Sequence, residues 1–345
     1  MLVGEAKTAA RRWVAAEATG IPGFAGAFFH GSANWLGDDE PFPDGSDLDV
    51  MLVLDGPPLA RKLGKFVYDG VLLEVSHLIR AQLGTAEELL GQYHLAGSFQ
   101  GPSIIADPAG FLTPLHEAIA REYTRRRWVR ARCEHAREKA LHDILLHKAA
   151  PLPDQVNAWL FPTGIATHVL LVAGLRNPTV RRRYVAAREL LHAYGHAAFY
   201  ATLIDQLDPA RMTPERVTEH LAALSAAFDD AATVIRSPFF FAADISRGAR
   251  PIAIGGSAEL IAQGLHREAL FWIAATYCRC MAVFAQDGTP ELHARHEIGF
   301  HALLADLGVA TTDELRRRKA ALVAFMPQVW TVAEAIMAAN PAITA

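Results

Sequence analysis

Gly31-Ser32, Asp47-Leu48-Asp49 and Glu74 are the residues of this chain whose types and order could do chemistry. A glycine lets the backbone come close to a ligand, and a serine beside it adds a hydroxyl next to backbone N–H groups. Two aspartates two positions apart on a strand share one face, about 7 Å apart. They repel each other unless a cation lies between them, and carboxylate oxygens suit Mg²⁺. A third acid alone in an apolar strand is costly to bury unless it is paired or put to use. A small turn followed by three carboxylates is what a site for Mg²⁺ and a nucleoside triphosphate needs, and the pieces stand in that order between positions 31 and 74.

The elements around them can position them. Residues 24–29 (FAGAFF) read as a short buried strand running into His30-Gly31-Ser32. After a polar loop, DLDVMLVLD reads as a strand over 47–54. Asp47 and Asp49 then share one face, and Leu48, Val50 and Leu52 point into the core. Residues 65–68 (KFVY), Asp69-Gly70 and residues 71–78 (VLLEVSHL) form a hairpin signal, because Asp-Gly suits the tight primed turns. Glu74 is the only acid in the return strand. If that strand lies beside 47–54, Glu74 joins the aspartates around a cluster of two metal ions, which would clamp the attacking and leaving oxygens of an in-line displacement. Lys62 and Lys65, near the hairpin, are candidate phosphate contacts.

Gly-Ser, then Asp-x-Asp, then an acid on a later strand resembles the nucleotidyltransferase superfamily of the DNA polymerase beta type. Within it, the pattern is similar to the small bacterial nucleotidyltransferases that adenylylate aminoglycosides or lincosamides. The resemblance covers about residues 21–120, including a further strand over 103–107 ahead of Pro108-Ala109-Gly110. It implies an α+β fold: a catalytic domain with a small mixed sheet flanked by helices, then an all-α domain that closes the cleft and selects the acceptor. Strand signals nearly vanish after residue 115, which puts the boundary there, as 1–115 and 116–345, or at Ala149-Ala150-Pro151, with the helix over 115–147 bridging it. The resemblance implies that Gly31 and Ser32 contact the triphosphate, that Asp47 and Asp49 bind two Mg²⁺ ions, and that Glu74 is the third ligand near an acceptor hydroxyl. ATP is the expected co-substrate and the acceptor is unidentified. One departure stands out. The connection from Ser32 to Asp47 is long for the family and carries Asp38, Asp39, Glu40 and Asp44, so that it reads as a lid or as charge opposing the nucleotide.

Other clusters have ordinary explanations. Residues 121–139 hold eight basic and three acidic side chains, but the chain uses 27 arginines and 6 lysines, so a solvated helix face is favoured over a nucleic-acid stripe. Arg181-Arg182-Arg183 is read the same way. His192 and His196, spaced i, i+4, would share a helix face but have no third ligand nearby. His296-Glu297 with His301 misses zinc-protease spacing by one residue, and Arg295 with His301 resembles only faintly the Arg…His pair of HEPN ribonucleases. Gly255-Gly256-Ser257 reads as a turn and helix N-cap. Glu189 and Glu268, in apolar helices, are candidate acceptor-side bases.

The chain has 345 residues, half of them apolar, which suits two cored domains. A net charge of −4 gives no global pull towards nucleic acid or anionic membrane. Cys133, Cys278 and Cys280 are too few for a disulfide framework and read as core residues in a reducing compartment. No signal peptide is read at the start, and the apolar stretch 269–285, which contains Arg279, reads as a core helix. A cytoplasmic protein without a membrane partner is the expectation. Helices are predicted over 3–19, 115–147, 180–207, 213–236, 258–284 and 311–339, with breaks at 151–154, 237–251 and 286–290. A catalytically silent nucleotide-binding or antitoxin-like module, and a transferase acting on RNA ends, are the alternative functions.

Overall fold

The structure is a computed structural model that describes residues 1–43, 46–59, 63–144 and 150–345. Asp44, Lys62, positions 145–147 and Ala149 lie outside the described residues. The fold is α+β, with one five-stranded mixed sheet and twelve α-helices among the described residues. By compactness the chain forms two units. One comprises Met1–His135, Leu175–Thr179 and Asn340–Ala345, the other Ala136–Gly174 and Val180–Ala339. The division falls after His135, downstream of residue 115.

The first unit holds α1 (Val3–Ala16), β1 (Phe24–Phe29), β2 (Leu48–Leu54), β3 (Gly64–Tyr68), β4 (Val71–Ile79), α2 (Ala86–Leu90), β5 (Ile104–Ala106), α3 (Leu112–Glu122) and the start of α4 (Arg126–Asp143). The strand order is β3-β4-β2-β1-β5. β2 and β4 run parallel, and the other neighbours antiparallel. Alternation along the strands sorts the side chains. Leu48, Val50 and Leu52 join Val71, Leu73 and Val75 beneath Ala6, Ala9, Ala10, Trp13 and Val14 of α1. Phe28, Met51 and Val53 face the opposite way, onto a second core with Leu89, Phe99 and Ile119. Asp49 and Glu74 belong to this second face. At the hairpin tip, Asp69 (φ 48°) and Gly70 (φ 78°) both adopt the left-handed backbone that a primed turn requires.

The predicted helix over 115–147 is two helices, broken between Glu122 and Arg126. Arg132 of α4 buries its guanidinium and donates to the carbonyls of Leu90 and Tyr123, at the C-terminal ends of α2 and α3. There a cation offsets both helix dipoles.

The second unit continues α4 and contains α5 (Leu152–Ala173), α6 (Arg183–Ala193), α7 (Ala197–Asp205), α8 (Pro214–Val234), α9 (Gly256–Ala262), α10 (His266–Asp287), α11 (Pro290–Leu307) and α12 (Thr312–Ala339). Pattern reasoning passes over α5 and α11. Almost every side chain of α5 from Val156 to Ala173 is buried, so no amphipathic stripe marks it. α11 begins at Pro290, a residue that reads as a break but is at home at the first helical position, where Thr289 caps it. Gly255-Gly256-Ser257 is helical rather than a turn: a π-helical turn, Pro251–Gly255, runs straight into α9. Among the described residues three helices, α5, α10 and α12, are long and apolar enough to cross a membrane by length and composition; 89%, 83% and 44% of their apolar windows are buried in the fold.

Asp107 fixes the start of α3. Its carboxylate accepts from the backbone N–H groups of Phe111, Leu112 and Thr113 and from the Thr113 hydroxyl. Burial alone would raise its pKa, but these four donors outweigh it and hold the carboxyl below its ordinary value. An acid with a depressed pKa stabilises the fold above the unfolded value, and this contribution fades as pH falls through the folded one. Asp107→Ala is therefore expected to lower stability by about 1–2 kcal/mol at neutral pH. In urea unfolding, the gap between variant and wild type should close as pH drops below about 4.

Candidate functional site

The parallel β2·β4 ladder places Asp49 directly beside Glu74. Asp47, two positions earlier, presents its carboxylate to the same face. One oxygen from each of the three acids lies within 4.8 Å of the others, and all three residues are half-buried. The sheet thus brings together the three acids singled out in the sequence.

Lys65 lies across from Glu74 in the β3·β4 ladder. Its ammonium reaches back over the sheet, donating to Asp47 Oδ2 at 2.5 Å and to Glu74 Oε2. Only 8% of the side chain is exposed. Of the two lysines assigned to phosphate, Lys62 lies outside the described residues, and Lys65 stands among the carboxylates.

Gly31 closes the site from the end of β1. Its φ is +64°, and a Cβ built on it would lie 2.1 Å from Asp49 Oδ2. Only a residue without a side chain permits this approach. The His30 N–H donates to the Asp49 carbonyl at 3.0 Å, fixing the turn to β2. Ser32 lies in the short 3₁₀ helix that follows, Gly31–Trp35, where the Asn34 side-chain amide donates to the Phe29 carbonyl. The sequence reading passes over His30. Its Nδ1 is 2.6 Å from the Ser98 hydroxyl oxygen. Burial pushes its pKa down to about 4, against an upward pull from the Glu74 carboxylate, so the ring is neutral at pH 7. Its place between a buried strand and the site glycine is the signal that could have found it.

The donor set suits a hard divalent cation: three carboxylates, with oxygens close enough to share one ion. The ammonium of Lys65, lodged between two of them, stands in for such a cation. The Asp47, Asp49 and Glu74 group can therefore hold a metal ion.

The acidic connection is tied to α1. Asp38 pairs with Lys7 at 2.7 Å, and the carbonyls of Asp38 and Glu40 accept from the N–H groups of Gly4 and Val3. The Glu40 carboxylate accepts from the Gly37 N–H. These contacts occupy Asp38 and Glu40 in holding the start of α1.

The remaining candidates are spread through the second unit. His192 and His196 do not share a helix face, because α6 ends at Ala193 and His196 precedes α7. His296 pairs with Asp230 at 2.7 Å and stacks on Phe284. Arg295 also faces Asp230, at 3.6 Å, whereas His301 lies beside Glu297. Glu189 is exposed on α6. Glu268 is buried, accepts from the Tyr200 hydroxyl at 2.8 Å and lies 3.7 Å from Arg188. Arg183 packs over Phe271 and Arg181 over Trp272. Arg125, between α3 and α4, and Arg127, Arg130 and Lys139 of α4 pair with neighbouring acids. The three cysteines are buried and form no disulfide, and burial pushes the thiols of Cys278 and Cys280 up.

No protein-family model, curated protein or solved structure matches the chain.

Gly31→Ala should displace the Asp49 carboxylate and force an unfavourable left-handed backbone, costing about 1–2 kcal/mol before the clash is relieved. The expected result is a lower urea midpoint together with weaker Mn²⁺ binding, read by electron paramagnetic resonance. Unchanged Mn²⁺ affinity would mean that the turn does not set the position of Asp49.

Proposed function

We propose that the chain is a Mg²⁺-dependent nucleotidyltransferase of the DNA polymerase beta type, which moves a nucleoside monophosphate from a triphosphate to a hydroxyl of a small molecule or protein. The observation that carries this is the register of β2 on β4, which sets Asp49 beside Glu74 with Asp47 in reach and Gly31 packed against them. The three acids suit a hard cation, and a glycine turn at a strand end suits a phosphate.

In the proposed reaction, the Gly31 turn and the Ser32 hydroxyl bind the triphosphate. Asp47, Asp49 and Glu74 would hold Mg²⁺, which when bound neutralises phosphate charge. Glu74 orients the acceptor hydroxyl and takes its proton. The acceptor oxygen bonds to the α-phosphorus as the bond to the bridging oxygen breaks, and pyrophosphate leaves. His30, being neutral at pH 7, brings no charge to this step. The protein's share of catalysis is positioning and charge compensation.

We assign the first unit to this chemistry and acceptor selection to the helical one. A chain using nucleoside triphosphates works where they are abundant, so the cytoplasm is the compartment implied. ATP is the first nucleotide to test. The net charge of −4 favours a small or protein acceptor over a nucleic acid. The ion pairs of Lys65 with Asp47 and Glu74 favour one second reading, a module that binds nucleotide without turnover.

The test is calorimetric titration of a non-hydrolysable ATP analogue with Mg²⁺ and then with EDTA. Binding should require Mg²⁺ and vanish in Asp47→Asn/Asp49→Asn. No Mg²⁺-dependent binding of any nucleoside triphosphate would overturn the proposal. Glu74→Gln should slow pyrophosphate release about 10²- to 10⁴-fold. Binding without any pyrophosphate release, with acceptors from aminoglycosides to proteins supplied, would leave the silent module.

A further inference from the structure

We propose that Lys65 is a built-in counter-ion that fills one cation position of the carboxylate cluster, so that the site takes one divalent ion where a cluster of this kind is expected to take two. The inference rests on the metal-site reading above and is independent of which acceptor is used.

Three adjacent strands build the arrangement. Lys65 pairs with Glu74 across β3·β4, and Glu74 pairs with Asp49 across β2·β4, so a positive and two negative side chains form one row. Asp47 completes the set, and the lysine's four-carbon stem spans Glu74 to reach it. The ammonium is not a surface group near the acids: its side chain is 8% exposed, against 23% for Asp47 and 19% for Glu74. A largely buried ammonium is held in place by the carboxylates that it pairs with.

Position then sets the count. The ammonium lies 2.5 Å from Asp47 Oδ2. A Mg²⁺ ion needs its oxygens at about 2.1 Å in octahedral array, so the ion and the ammonium cannot both claim that region of the cluster. Lys65 is thereby a positioning residue: it orients Asp47 and Glu74 and supplies by a fixed charge part of the field that a second metal would supply.

The test counts Mn²⁺ per chain by electron paramagnetic resonance, with and without a saturating non-hydrolysable ATP analogue, in wild type, Lys65→Met and Lys65→Arg. Circular dichroism checks that each is folded. Lys65→Met should bind one more Mn²⁺ than wild type, from one to two with the nucleotide present, and Lys65→Arg should keep the wild-type count. Equal counts in wild type and Lys65→Met overturn the proposal. So does a loss of nucleotide affinity in Lys65→Met at constant count, which makes the lysine a triphosphate contact. Two ions in the wild type overturn it even if Lys65→Met does not fold. None of these outcomes touches nucleotidyl transfer, which stands or falls on Mg²⁺-dependent nucleotide binding by the wild type.

Discussion

Mutual repulsion among Asp47, Asp49 and Glu74 is the constraint around which the first unit is organised. Two unit charges 4 Å apart interact by about 4 kcal/mol at the effective dielectric near a protein surface. The β2·β4 register, with Asp47 just ahead of it, holds three carboxylates with one oxygen of each within 4.8 Å of the others. A sheet that did so without a compensating charge would favour a slipped register or protonated acids. Here the compensation comes from the hairpin itself. The Asp69-Gly70 turn sets the register of β3 on β4, and that register puts Lys65 across from Glu74. A slip of one residue would turn Lys65 to the α1 side and Phe66 to the acids. The turn, the ladder and the ion pairs are one device, and none of its parts is stable in this form alone.

The rest of the unit gives the row of charges a fixed frame. On the far side of the sheet, α1 covers Leu48, Val50, Leu73 and Val75 and so prevents β2 and β4 from moving apart. The acidic connection grips the first turn of α1 through Asp38 and Glu40. On the near side, Gly31 abuts Asp49 while His30 is held by Ser98. The aspartate is therefore confined from both its strand neighbour and the turn, which is the preorganisation a cation site needs if binding is not to be spent on ordering its ligands.

The strands and the acids were legible because they follow the period of two: apolar side chains inward at Leu48, Val50 and Leu52, acids outward at Asp47 and Asp49. The hairpin was legible from Asp-Gly, and its return strand beside β2 brings in Glu74. The partner of these acids was not. A lysine near a hairpin reads as a solvent-facing phosphate contact, and nothing in the local sequence says that its stem lies across Glu74. His30 was hidden for a related reason, since its partner Ser98 is distant in the chain. In the helical unit the losses came from patterns without periodicity. α5 is buried on all sides, and Pro290 starts a helix where it was taken to end one. His192 and His196 show the converse: their spacing suited one helix, but the chain breaks between them.

Whether the cluster serves chemistry or only the fold turns on what the ion pairs contribute to stability. Buried or half-buried charge pairs are poor stabilisers, because desolvation offsets much of their attraction, and apolar replacements of similar volume are often neutral or better. A sheet already flanked by two apolar cores gains little from four charges at one end of its second face. The excess of three acids over one lysine is more telling still. Among the described residues, three acids and one lysine gather beside a glycine turn, a set richer in oxygen ligands than a structural salt bridge needs. Such a group of carboxylates suits a divalent cation, and its placement at the end of β1 is where a phosphate could share that cation. The fold alone gives little reason to group the acids there, and the proposed nucleotidyl transfer would give one.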